Sequence, residues 1–283
     1  MSAEKTAAST GQPELPDLAV GDFFYEDLGD GHYRSTVHAQ GAWNPHEQHM
    51  APATGIMVHE LEKFQPRDDL RMARVSLDIH GIIHGGDITI DTRVIRPGRT
   101  IELIEAEMIT AGRTSIVARA WRLATGDSSA VHAVEDTHVT HPEDLPVWDG
   151  MSPWPGGYIE ALDFRVDAGH RPGRGTVWLR HDLEMVSGTT TTTSLVRLLG
   201  MADTANGIAP RVEPGPESWM FPNVDLQIHM HRAPVGEWLG IQAQQTYGTD
   251  GIGLTSGVLH DVQGPFGRTE QILTVRPMPG HKR

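Results

Sequence analysis

The feature that most restricts how this chain can fold is an internal repeat. The same order of elements occurs twice, on either side of a Pro/Gly-rich break. The break spans residues 147–157, where Gly150, Pro153, Pro155, Gly156 and Gly157 leave no periodicity and mark a connection. Before it, strands are expected at 22–25 and 33–38, joined by the turn Gly29-Asp30-Gly31. Thr54, Met57, Val58, Leu61 and Phe64 then recur at spacings of three and four, which predicts a helix that Pro66 stops. Four extended runs follow at 72–83, 87–95, 100–109 and 114–124, separated by turns at Gly85-Gly86, Pro97-Gly98 and Ala111-Gly112.

After the break the order returns. Strand-like runs at 159–166 and 176–183 precede a helical segment at 190–206, with Leu195, Leu198, Leu199 and Ala202 at helical spacing. Extended runs come back at 224–231, 238–247, 252–260 and 268–275. A repeat of this length indicates duplicated domains rather than a solenoid, whose units run roughly 20–50 residues. The expected division is a flexible polar tail at 1–20, a first half at 21–146, the linker at 147–157 and a second half at 158–278. One helix followed by several antiparallel strands, twice over, predicts an α+β fold in which each sheet wraps its own helix. Edge strands of the two halves would then pair into one long sheet.

Composition narrows the function. The length of 283 residues suffices for two cores. A net charge of −14 argues against nucleic acid or an anionic membrane surface as a general partner, while leaving room for a local basic pocket. The absence of cysteine removes thiol nucleophiles, thiolate metal sites and disulfides together, and fits a cytoplasmic protein. No stretch approaches the roughly 18 apolar residues of a membrane span, and the opening residues lack the apolar core of a signal peptide.

Two stretches carry a family resemblance. In the first half it is the run from Arg96 to Glu107, followed by Gly112-Arg113 and by 118–123. In the second it is Phe221-Pro222-Asn223-Val224-Asp225 through Arg232, then Gly236-Glu237-Trp238-Leu239, then 253–261. Together they resemble the thioesterase-like double-hotdog proteins related to bacterial acyl-CoA thioesterase II. The resemblance covers about residues 20–278. It implies a double hotdog and an acyl-CoA or related acyl thioester as substrate, with coenzyme A entering only as part of that substrate and no other cofactor. It also implies a role in fatty acid metabolism, with room for assembly into homo-oligomers. In those enzymes an Asp, a Thr and a Gln of the second half orient the attacking water. Carried over by position, they are Asp225, Thr246 and Gln271; the first half offers Arg74, Ile95 and Ile116, and an apolar pair holds no water.

The chemistry asks for an oriented water and for donors aimed at a developing oxyanion, most naturally at a helix start such as that near 188–193. Read without the family, Asp225 lies on the polar face of an alternating strand and Thr246 is an ordinary strand residue. His229 and His231 share a face but lack a third metal ligand at a telling spacing. The loop from Gly41 to His46 resembles a hotdog enoyl hydratase segment, yet Ala42 stands where the catalytic Asp would be. The family also commonly has a Gly-Gly pair before the first helix, where this chain has Gln48-His49-Met50-Ala51. A thioester hydrolase is the expectation, with a non-catalytic acyl-CoA or lipid binder and then a hydratase as the alternatives.

Overall fold

The computed structural model describes residues 15–188, 191–213, 215 and 217–278. The tail expected at 1–20 lies largely outside the described residues, as do residues 189–190. The first half runs β1 (Phe23–Gly29), β2 (His32–Ser35), α1 (Met50–Lys63), β3 (Leu70–Ile79), β4 (Asp87–Arg96), β5 (Ile101–Thr110) and β6 (Arg113–Ala124). Then come α2 (Gly157–Glu160), β7 (Asp163–Val166), β8 (Arg174–Arg180), β9 (Glu184–Val186), α3 (Ser194–Leu199) and α4 (Ala205–Ile208). A short β10 (Trp219–Met220) precedes β11 (Asp225–Met230), β12 (Leu239–Tyr247), β13 (Ile252–Asp261) and β14 (Gly264–Thr274), and β15 (Arg276–Pro277) pairs back on β10.

Thirteen strands form one sheet in the order β7-β8-β12-β13-β14-β11-β3-β6-β5-β4-β2-β1-β9. Read outward from the β11–β3 seam, each half repeats the other. The seam is antiparallel, with Asp225 opposite Asp78 and His229 opposite Arg74, so the halves share one sheet as the edge-strand argument expected. β9 leaves the second half to pair in parallel with β1, which ties the two halves at the far edge as well. This is a double hotdog: a sheet whose inner face wraps two central helical segments.

Strand parity builds the inner face. On β11, Leu226, Ile228 and Met230 are buried, and on β6 so are Ile116, Ala118 and Ala120. Helix α1 is buried on nearly every side from Met50 to Val58, as a helix enclosed by its sheet must be. The two central helices meet at glycine. A Cβ on Gly200 would lie 3.1 Å from the Gly55 Cα and 2.9 Å from the Val196 carbonyl oxygen. Gly200→Ala is therefore expected to lower stability by about 1–3 kcal/mol, read as a lower urea midpoint at unchanged slope. An unchanged midpoint would show that the helices have slack at this crossing.

Two sequence expectations change. The run at 159–166 opens with α2, one helical turn, before β7 begins. The helix expected over 190–206 is broken: α3 ends at Gly200, a 3-10 turn covers Ala202–Thr204, and α4 follows. No helix among the described residues is long and apolar enough to cross a membrane.

Candidate active site

The break between α3 and α4 places a carboxylate in the core. Asp203 sits in the 3-10 turn and is only 5% exposed. In sequence it follows Leu195 and Leu199 at intervals of four, but it is the break after Leu199 and the 3-10 turn that set its direction. Its Oδ1 accepts two amide hydrogen bonds, from Asn223 Nδ2 at 2.8 Å and from Gln271 Nε2 at 2.7 Å. Burial pushes its pKa up to about 6 against the opposing pull of those two amides. Gln271 is fully buried on the inner face of β14, and its Oε1 has no hydrogen-bond partner among the described residues. One acceptor of that amide is thus left unpaired in the core among the described residues.

The other carboxylate oxygen, Oδ2, faces the start of the first-half helix, 3.6 Å from His49 Nδ1. This is not an ion pair. Burial lowers the His49 pKa to about 3, and Nδ1 already accepts the Ala51 N–H at 3.0 Å as the N-cap of α1. The proton of the neutral ring consequently sits on Nε2. The ring is fixed against Tyr158 at 4.4 Å, and the Tyr158 hydroxyl bonds to Thr204 beside Asp203. Gln48 locks the approach to the helix, accepting from the Tyr25 hydroxyl and donating to the His84 carbonyl. The positive end of α1 therefore faces the carboxylate across a narrow gap.

Two adjoining cavities open here, sharing Ala42, Trp43, His49, Asp203 and Asn223 as walls. The inner chamber measures about 50 Å³ and is lined further by Met151, Trp154, Ile159, Thr204, Asn206 and Phe221. The outer cleft measures about 360 Å³ and is lined by Glu47, Gln48, the segment Gly81–Ile83 and Arg276. Met151 and Trp154 belong to the stretch expected as a mere linker, and both are buried. The Gly156-Gly157 pair lets that stretch lie directly on the backbone of residues 37–41, where a Cβ on Gly157 would overlap the Val37 carbonyl.

Of the three residues carried over by resemblance, the structure brings Gln271 into this cluster and leaves the other two outside it. Asp225 shares the outer face of β11 with Gln227 and His229, while Leu226 and Ile228 point inward. Its Oδ1 accepts the Ile272 backbone N–H at 2.7 Å, and its Oδ2 accepts from Gln227 at 3.2 Å. Thr246 is exposed on β12; its neighbour Gln245 is the residue that faces inward, hydrogen-bonded to Asn206 and Thr255. Strand parity alone separates them from Gln271. In the first half, Arg74 donates to Gln227, Ile95 is exposed and Ile116 is in the core.

Sequence reasoning missed Asp203, Asn223 and His49. For Asp203 a signal existed: a carboxylate on the apolar stripe of a helical segment. Asn223 and His49 carry none, since each acts through an element distant in sequence. The guanidinium groups of Arg232 and Arg268 are held by Asp261 and Asp136, so Arg276 is the cation at the cleft. His229 and His231 are exposed, and no group of three His, Asp or Glu placed to hold a metal occurs among the described residues.

Comparison with known proteins agrees with this architecture. Residues 39–123 match the acyl-CoA thioesterase N-terminal domain family, and residues 142–275 match the acyl-CoA thioesterase C-terminal domain family. No curated protein matches the chain. Among solved structures, a hot dog fold protein of unknown function from Alicyclobacillus acidocaldarius superposes with a TM-score of 0.70 at 14% identity, covering 88% of this chain and 95% of its own. Acyl-CoA thioesterase II TesB2 from Mycobacterium marinum gives 0.64 at 14% identity, covering 93% and 98%. The tesB protein of Mycobacterium avium subs paratuberculosis gives 0.62 at 13%, covering 89% and 96%. At these identities the likeness establishes the fold.

Proposed function

The chain belongs to the acyl-CoA thioesterase-like double-hotdog family, and from that premise we propose that it hydrolyses an acyl thioester by direct attack of water. The observation that carries this reading is the Asp203 carboxylate: buried, pinned through Oδ1 by Asn223 and Gln271, and turned through Oδ2 toward the start of α1. A carboxylate with a pKa of about 6 is ionised at neutral pH, yet basic enough to accept a proton from water.

In the proposed reaction a water in the cavity beside Asp203 Oδ2 loses a proton to the carboxylate, which Asn223 and Gln271 hold in place, as its oxygen bonds to the thioester carbon. The negative charge that develops on the carbonyl oxygen meets the N-terminus of α1. There the Ala51 N–H is taken by His49, Pro52 has none, and the Ala53 N–H turns back to the His49 carbonyl. Met50 N–H is the first-turn donor left for the oxyanion. The carbon–sulfur bond then breaks, and the Asp203 proton passes to the departing thiolate. No covalent enzyme intermediate is required.

The test is release of free thiol from a panel of acyl-CoAs, which a thiol reagent reads without background because the chain has no cysteine. Silence across the panel, with acyl-CoA still raising the melting temperature, would favour a binding protein instead. The pH profile has a definite sign. kcat/KM is expected to fall about tenfold per unit below pH 6 as Asp203 takes up its proton, and to be level from about 7 to 8. His49, lowered to about 3, adds no second limb in that range. A profile flat between pH 4.5 and 7.5 would remove Asp203 as the base.

A further inference from the structure

We propose that this site is built for a short acyl group of about two to four carbons, and that Trp43 and Trp154 set the limit. This rests on the hydrolytic reading of the same site and adds what it acts on. The two cavities that meet at Asp203 differ chiefly in size, about 50 Å³ against about 360 Å³. The outer cleft is the roomier of the two, with Glu47, Gln48 and the cation Arg276 on its walls, and suits the phosphate-bearing carrier end of a thioester. The inner chamber sets Trp43, Met151, Trp154, Ile159 and Phe221 against Asp203, Thr204, Asn206 and Asn223, and its small volume suits the acyl end.

Size decides the class. At about 50 Å³ the chamber is small beside the roughly 150 Å³ cavity that admits benzene, and a water's share of liquid volume is about 30 Å³. A few heavy atoms fill it. The walls do not yield easily, because three rings brace each other edge to face. Trp43 lies 5.2 Å from Trp154 at 81°, and each lies 6.0 Å from Phe221 at 87°. Trp154 is buried, whereas Trp43 is 43% exposed and divides chamber from cleft. Truncating Trp43 thus removes one brace and opens the chamber with less disturbance to the core than truncating Trp154.

The experiment compares kcat/KM for acetyl-, butyryl-, hexanoyl- and octanoyl-CoA between the parent protein and Trp43→Ala, with Trp154→Phe as a milder second variant. The parent is expected to lose tenfold or more from butyryl to hexanoyl, and Trp43→Ala to raise the hexanoyl-to-butyryl ratio by about tenfold. A parent that prefers hexanoyl or octanoyl, or a ratio unmoved in both variants, overturns the size limit while leaving hydrolysis intact. If no thiol is released from any substrate, hydrolysis fails instead. The limit is then read from melting temperatures, which short acyl-CoAs should raise more than long ones in the parent but not in Trp43→Ala; equal shifts across the series would refute it.

Discussion

Replacing Asp203 by Asn is expected to lower kcat/KM for acyl-CoA hydrolysis by about 10²–10⁴-fold while leaving the protein at least as stable as the parent at pH 8. The two halves of this expectation have one cause. Asn keeps an Oδ1 for the Asn223 and Gln271 amides, so the local packing survives, but it offers no base at the Oδ2 position. The parent meanwhile bears a cost for its carboxylate. The folded-state pKa of about 6 lies above the ordinary value of 3.8, so on raising the pH the unfolded chain ionises first. Stability is lost between about pH 4 and 6 and stays lower above that window, by about 1–3 kcal/mol. Asp203→Asn escapes that loss. Its melting temperature should exceed the parent's at pH 8, and the difference should vanish below pH 4. A variant that is inactive because it is unfolded would contradict the stability half and remove the loss of the base as the reason for the inactivity.

The largest effect on folding is expected at Arg122. Its side chain lies buried on the inner face of β6, beneath the end of α1. One nitrogen donates to the Gln65 carbonyl at 3.1 Å and to Glu102 at 3.2 Å; the other donates to the carbonyls of Phe64, at 2.6 Å, and Leu61. A single guanidinium thus satisfies the carbonyls that the last helical turn leaves open and neutralises a buried carboxylate. Arg122→Met removes the nearer of the two cations beside buried Glu102, leaving only Arg67 at 3.8 Å, and should destabilise the protein by about 3–5 kcal/mol. Adding Glu102→Leu should restore the part due to the weakened ion pairing, leaving about 1–3 kcal/mol for the uncapped carbonyls. Chemical denaturation of the two variants separates these contributions. If the double variant is no more stable than the single one, the ion pair is not the dominant element.

The fold was legible because its two periods are written in the chain. Thr54 to Phe64 repeat at helical spacing, and Val224 to His231 alternate, and both hold in the structure as α1 and β11. Where a period was too short to register, the reading slipped. Residues 159–160 read as the start of a strand at 159–166 but belong to the single helical turn Gly157–Glu160, and the helical pattern through Leu195 and Ala202 hides the break at Gly200. That break matters most for the site, since it turns Asp203 toward α1.

The site was less legible for a different reason. Alternation tells which face a strand residue takes, and it already set Asp225 on the polar face with His229. What it does not tell is which polar residues of separate elements meet. Gln271 and Asp203 lie far apart in sequence and meet only because β14 runs beneath the helical turn; Asn223 joins them from the approach to β11. His49 comes from the other half altogether, brought there by the shared sheet and by the Gly156-Gly157 contact.

The measurement that bears most directly on this account is thiol release from acetyl- and butyryl-CoA by three proteins in parallel: the parent, Asp203→Asn and Asp225→Asn. The account predicts turnover by the parent, loss of about 10²–10⁴-fold in Asp203→Asn, and near-parental rates in Asp225→Asn. Full activity in Asp203→Asn with loss in Asp225→Asn would contradict it and move the chemistry to the outer face of the sheet.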